Sequence, residues 1–226
     1  MIEVRNLYKS YKNGDVCTKV LKDVNLTVED GAFVTIMGRS GCGKSTLLNI
    51  LGGMDRADQG TYLFDGTPVS GMDGRSLARF RNQKVGFVFQ SFHLLPEFNV
   101  ADNVALPLGY GGMGAKQRRK ISMELLEKVG LADKARRRPS QLSGGEQQRV
   151  AIARAVAAGP KVLLADEPTG SLDEENGQKI MEMLKALNTQ GLTILLVTHD
   201  PKVAACGSRM IHMADGRIVT DDINNG

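Results

Sequence analysis

Apolar positions along the chain follow two rhythms, and the change between them predicts the architecture. Up to residue 90 they alternate or form short blocks: Ile2 to Leu7, Val20 to Val28, Phe33 to Met37, Thr61 to Phe64 and Val85 to Phe89. Runs of this length and spacing are those of strands. Asn13-Gly14 and Asp30-Gly31 punctuate them as turns, and Lys44 to Leu51 reads as a helix. From about Ser91 to Ala158 the period becomes helical. Ile121, Leu125, Leu126 and Val129 share one face with Glu124, Glu127 and Lys128 largely opposite, and a second helix is expected from Glu146 to Ala158. Strand and helix then alternate through Val162 to Ala165, Asn176 to Asn188, Thr193 to Val197, Met210 to Met213 and Arg217 to Val219. Alternation of this kind predicts an α/β fold with a mainly parallel sheet and crossover helices, into which the helical stretch is inserted.

Composition narrows the class. A length of 226 residues suits one α/β domain with a subdomain, and 42% hydrophobic with 24% charged residues describes a chain with a real core. The apolar runs are short, as in Ile194-Leu195-Leu196-Val197. A membrane span needs about 18–20 residues, so the chain is expected to cross no bilayer by itself. The start, Met1-Ile2-Glu3-Val4-Arg5-Asn6, reads as a strand rather than a signal peptide, which places the protein in the cytoplasm. Cys17, Cys42 and Cys206 have no metal-ligand spacing, and their odd number argues against a disulfide framework. Net charge is +4, too mild to announce nucleic-acid binding. Basic residues cluster at Lys116 to Lys120 and Lys134 to Arg138, read as a solvated helix face, with lipid headgroups or RNA as alternative partners.

The chemistry sits in three motifs. Gly38-Arg39-Ser40-Gly41-Cys42-Gly43-Lys44-Ser45 fits G-x-x-x-x-G-K-[ST] between an apolar strand and an apolar helix. Its glycines let backbone N–H groups curl around phosphates at a helix N-terminus, Lys44 would bridge β and γ phosphates, and Ser45 would ligate Mg²⁺. Cys42, at that helix N-terminus, is expected to be a reactive thiol. Val162 to Ala165 leads into Asp166-Glu167, of which the first would hold Mg²⁺ and the second would take a proton from attacking water. Leu142-Ser143-Gly144-Gly145-Glu146-Gln147-Gln148-Arg149 opens a helix with two glycines, Ser143 lying 23 residues before Asp166.

With that third motif the chain resembles the ATP-binding-cassette (ABC) ATPases over nearly its whole length. The resemblance implies a P-loop NTPase fold: one domain over 1–226, with a mainly parallel core and an N-terminal antiparallel β subdomain from 1–90 and 159–226, and an inserted α-helical subdomain over 91–158. It implies ATP and Mg²⁺ as ligands, with Gly38, Ser40, Gly41, Cys42, Gly43, Lys44, Ser45 and Thr46 around the phosphates. Tyr11, with Tyr8 competing, would stack on adenine. Gln90 would touch Mg²⁺ alongside Ser45 and Asp166, and Glu167, His199 and Lys44 would serve catalysis. Ser143, Gly144, Gly145 and Asp173 would face a second subunit, a homodimer or a heterodimer with a similar ATPase. His93 and His212 match no family role.

A finer resemblance to the MacB/LolD branch rests on Phe89 to Pro96, Asn103 to Leu108 and Asp166 to Asp173. It implies a peripheral subunit on the cytoplasmic side of the membrane, driving integral permease chains of an export or mechanotransmission system, with Leu94, Leu95 and Phe98 toward the partner and no nucleic acid. The glycine-rich Gly109 to Ala115 and Ser171 depart from the branch pattern. An FtsE-like regulator of cell-wall hydrolysis is the alternative. A soluble repair or translation ATPase fits less well: Lys44 and Ser143 are 99 positions apart, too close for an inserted coiled coil, and there is one cassette.

Overall fold

The computed structural model describes residues 1–223. In chain order its elements are β1 (Ile2–Asn13), β2 (Val16–Val28), β3 (Phe33–Met37), α1 (Lys44–Leu51), β4 (Gln59–Phe64), β5 (Thr67–Pro68), α2 (Gly74–Lys84) and β6 (Val85–Phe89). There follow α3 (Val100–Tyr110), α4 (Ala115–Lys128), α5 (Gly144–Val156), β7 (Val162–Asp166), α6 (Glu174–Thr189), β8 (Thr193–Thr198), α7 (Pro201–Ala204), β9 (Arg209–Ala214) and β10 (Arg217–Ile223). Short 3₁₀ turns lie at Ala132–Lys134 and Pro139–Gln141. No helix among the described residues is long and apolar enough to cross a membrane.

The chain divides into two compact units, 1–81 with 187–226, and 82–186. In the first, an antiparallel sheet of order β2-β1-β4-β5 is joined by a second set of strands in which β3 pairs parallel with both β8 and β9, and β9 pairs antiparallel with β10. β8 is buried along its whole length, as expected of a strand covered on both faces. In the second unit β6 and β7 pair in parallel, and α3, α4 and α5 enclose a core built on Val100, Val104, Leu108, Leu126, Val150 and Ala153. These pairings agree with the α/β class expected from the alternation, and the antiparallel N-terminal sheet agrees with what the resemblance implies.

Three features depart from the sequence reading. β1 and β2 are 12 and 13 residues long, well beyond the strands ending at Leu7 and starting at Val20. The alternation breaks where Asn6 turns to φ 48°, its N–H donating to Asn25 Oδ1 at 2.9 Å, and the register shifts there. A bulge of this kind flips the in–out pattern without ending the strand. α2 buries only Leu77 and Phe80, too few to set a period; Phe80 meets Phe64 edge-on at 5.1 Å. α3 carries Pro107 within it and turns Asn103 toward the core, both of which mask a helical pattern.

Candidate nucleotide and signature sites

In the first unit, the phosphate loop and His199 leave neighbouring parallel strands at the same end, because Met37 pairs with Thr198. Ligands of open α/β sheets bind at this carboxyl edge. Gly41 and Gly43 have φ of 78° and 107°, so glycine is required there on backbone grounds. Gly38 is required by space: a Cβ would lie 2.4 Å from the Met213 carbonyl oxygen and 2.7 Å from Cys42 Sγ. Lys44 is 7% exposed, and its Nζ donates to the carbonyls of Gly38 at 2.7 Å and Arg39 at 3.1 Å, so the loop arches over the ammonium. No capping side chain and no acidic residue occupies the first turn of α1, which leaves that turn suited to an anion. Cys42 is buried, and burial within the loop shields the thiol that the sequence reading took as reactive.

Tyr11 stands beside this loop. Its hydroxyl donates to Asp55 Oδ2 at 2.7 Å, and Lys9 Nζ lies 4.9 Å from its ring centroid. Burial, then Asp55, raises its pKa above the ordinary tyrosine value. Tyr8 is similarly exposed. Desolvation would raise the pKa of Asp55, yet the hydrogen bonds from Lys9 and Tyr11 outweigh it and the net direction is downward.

In the second unit, Phe89 pairs with Asp166, so Gln90 and Glu167 leave adjacent strand ends. Glu167 has φ 48°, an uncommon conformation for a side-chain-bearing residue, held in a turn by the Gly170 N–H donating to its carbonyl at 3.0 Å. Ser171 Oγ donates to the Gln90 carbonyl at 3.2 Å, tying the glutamine strand end to the loop after β7. Asp173 is the N-terminal cap of α6. It accepts from Asn176 N–H at 2.8 Å and from Asn176 Nδ2, bonds that lower its pKa. Its carboxylate therefore has local work in addition to the interface role expected from the resemblance.

The signature opens α5 with a reciprocal cap. Ser143 Oγ accepts from the Glu146 N–H at 3.3 Å while Glu146 Oε2 accepts from the Ser143 N–H at 2.9 Å. Gly145 has a reason beyond anion access, since a Cβ would lie 2.5 Å from Asn176 Oδ1 and 2.7 Å from Asn176 Cγ.

Two residues with no role in the sequence reading hold this half together. Gln148 is fully buried on α5, and its Nε2 donates to the Phe89 carbonyl at 3.3 Å and to the Pro168 carbonyl, one bond to each strand end. Arg154, whose pKa burial lowers, donates to the carbonyls of Phe92 at 2.8 Å and His93 at 2.6 Å. Both of those residues have positive φ, so Arg154 fixes the bent start of the segment after Gln90. His93 packs on Phe89 with ring centroids 4.7 Å apart. Gln148 sits in the polar run Glu146 to Arg149 and gave no sequence signal, whereas Arg154, the lone charge between Val150 and Ala158, offered one.

The helical stretch also carries an open groove of about 1130 Å³, lined by Phe98, Leu106 and Met123 with Arg118, Arg119 and Arg136. The basic clusters of the sequence thus contribute to a concave surface as well as to a solvated face. Phe98 and Leu95 are exposed, whereas Leu94 is partly buried and packs on the helical core.

Residues 21–170 match the family described as ABC transporter. The chain is 49% identical over 219 residues to the ABC transporter ATP-binding protein YknY of Bacillus subtilis, covering 97% of this chain and 95% of that one. It is 47% identical over 221 residues to the macrolide export ATP-binding/permease protein MacB of Psychrobacter cryohalolentis, covering 98% of this chain but only 33% of MacB. Among solved structures, the dimeric post-hydrolysis state of the ATP-binding cassette MJ0796 bound to ADP and Pi superposes with a TM-score of 0.93, at 44% identity and full coverage of both chains.

Proposed function

Because the chain belongs to the ABC transporter family and is an ATPase, we propose that it is the motor subunit of a MacB/LolD-type export or mechanotransmission complex, acting as a dimer on the cytoplasmic face of a membrane. The observation that carries this reading is the match of nearly the whole chain to one third of a protein named for both ATP binding and a permease. A permease would be its partner, and the groove on the helical stretch, where Phe98, Leu106 and Met123 lie among arginines and the carboxylates of Asp102 and Asp133, offers it a surface.

The residues divide the work. Lys44 and the first turn of α1 hold the phosphates, and Tyr11 stacks on the base. Ser45, Gln90 and Asp166 are hard oxygen donors of the kind Mg²⁺ takes. Bound there, the cation would offset charge on the transferring phosphoryl group. Glu167 accepts the proton of the attacking water, and His199 steadies the γ-phosphate. Ser143 and Gly145 of a second copy close the site from the opposite side, so that each nucleotide touches two chains.

Glu167→Gln tests the reading. Removal of a general base costs ~10²–10⁴-fold in rate, so turnover should fall by that order while ATP affinity is retained. Because ATP would then persist and bind the dimer preferentially, gel filtration should show a monomer-to-dimer shift with ATP and none with ADP. Adding Ser143→Arg should abolish the shift. Wild-type turnover in Glu167→Gln would refute the base assignment, and an inactive variant that stays monomeric at saturating ATP would refute the two-chain site. Purification from native membranes should bring down a permease with few spans and a large extracytoplasmic domain, and Phe98→Glu should lose it.

A further inference from the structure

The cap on the signature helix contains a charge problem. Ser143 Oγ spends an acceptor site on the Glu146 N–H, which leaves its hydroxyl proton free to donate outward to an anion. Yet the same cap brings the Glu146 carboxylate to the Ser143 N–H, at the helix end that an anion would approach. An uncompensated carboxylate there would cancel the positive end of the helix dipole that makes the site attractive to phosphate.

Lys134 answers it. Its Nζ forms an ion pair with Glu146 Oε1, with the two side chains only 24% and 17% exposed. The pairing is built rather than incidental, because the segment carrying Lys134 is pinned on both sides. Leu131 and Ala135 are buried, Val100 N–H donates to the Arg137 carbonyl at 2.9 Å, and Ala101 N–H donates to the Ala135 carbonyl at 3.0 Å. Lys134, with Ser143 N–H second, holds the Glu146 carboxyl below the usual glutamate range, so the group stays ionised and needs its counter-charge.

We propose that Lys134 is a positioning residue for ATP turnover, acting through Glu146 to keep the signature cap electrically neutral so that Ser143 can receive the phosphate of a nucleotide held by the second copy. The inference rests on the two-chain reading above. It makes Glu146 useful for its shape, as a cap, and a liability for its charge. Gln caps equally well at this position and carries no charge.

The test is a cycle in the Glu167→Gln background, reading the dimer dissociation constant at saturating MgATP by sedimentation. A charge at a helix end is worth about 0.3–1 kcal/mol, and a two-fold dimer contains the contact twice. Lys134→Met should therefore raise the dissociation constant roughly 3- to 30-fold at low salt, with the effect shrinking at high salt as screening sets in. Glu146→Gln alone should dimerise at least as well as the parent, and Lys134→Met with Glu146→Gln should return close to it. ATP affinity of the monomer should be the same in all. If Lys134→Met does not fold, Lys134→Gln carries the same comparison. Failure of Glu146→Gln to rescue would overturn the proposal and make Lys134 a mere tether. An unchanged dissociation constant in Lys134→Met, with Ser143→Arg still abolishing the dimer, would overturn it while leaving the two-chain reading intact. A Glu167→Gln parent that never dimerises with ATP would overturn both.

Discussion

Replacing Gln148 by glutamate changes one atom and should be among the most damaging substitutions in the second unit. The amide nitrogen faces two carbonyl oxygens, Phe89 and Pro168, while Oε1 is buried without a hydrogen-bond partner. Gln148→Leu therefore loses and gains. It forfeits roughly 0.5–1.5 kcal/mol at Phe89, whose carbonyl keeps the Phe92 N–H at 3.2 Å, and roughly 1–3 kcal/mol at Pro168. It recovers roughly 1–3 kcal/mol by removing the orphaned oxygen. The net cost is small, about 1 kcal/mol. Gln148→Glu has no such relief. An ionised carboxylate would point an oxygen at two acceptors, and only the protonated form could donate to one of them. Burial of this kind raises a glutamate pKa by about 3–4 units. With the folded pKa above the unfolded value of about 4.3, the penalty is absent below that pH and grows by about 1.4 kcal/mol per unit above it, until the folded pKa is reached. Urea denaturation at pH 5.5 and pH 8 should show the gap between Gln148→Glu and wild type widening by about 3 kcal/mol. Gln148→Leu should show the same small gap at both. A gap for Gln148→Glu that does not change with pH would refute the buried two-carbonyl geometry.

Two further outcomes follow from the site. Arg154→Met removes two charge-assisted bonds, worth about 1.5–3 kcal/mol each, from carbonyls at left-handed residues; limited proteolysis should then open the chain between Phe92 and Phe98 faster than in wild type. Maleimide should label the exposed Cys17 before the buried Cys42, ATPase activity should survive that first modification, and only the slower inactivation should be prevented by ATP.

The sequence made legible whatever was local. The phosphate loop declared itself because a strand, a glycine pattern and a helix are contiguous, and Phe33 to Met37 and Lys44 to Leu51 stand where the apolar pattern put them. The strand end bearing Asp166 and Glu167 was legible for the same reason. What stayed hidden is tertiary. Gln148 lies in the polar run Glu146 to Arg149, and nothing in that run tells which polar side chain turns inward; Arg154 is the lone charge between Val150 and Ala158, which marks the residue but not its partners. The Lys134–Glu146 pair joins residues 12 apart across the 3₁₀ turn Pro139–Gln141, which is too short to leave a periodic pattern. Asn103 looks like a surface residue until its amide is seen binding the backbone of Leu95, Phe98 and Asn99, which is why α3 escaped a pattern search.

Gly145 lies against the body of Asn176, and the role proposed for it adds a second demand, the close approach of a nucleotide. The two demands have different lifetimes in evolution. A duplicated cassette that drifts into a silent partner, keeping its fold but abandoning turnover, loses the second and retains the first. Glu167 would then be free to vary, while Gly145 stays for as long as Asn176 remains beneath it and Ser143 for as long as it caps α5. An intact glycine or an intact cap serine in such a descendant is therefore poor testimony to activity, and the glutamate at position 167 is the better witness.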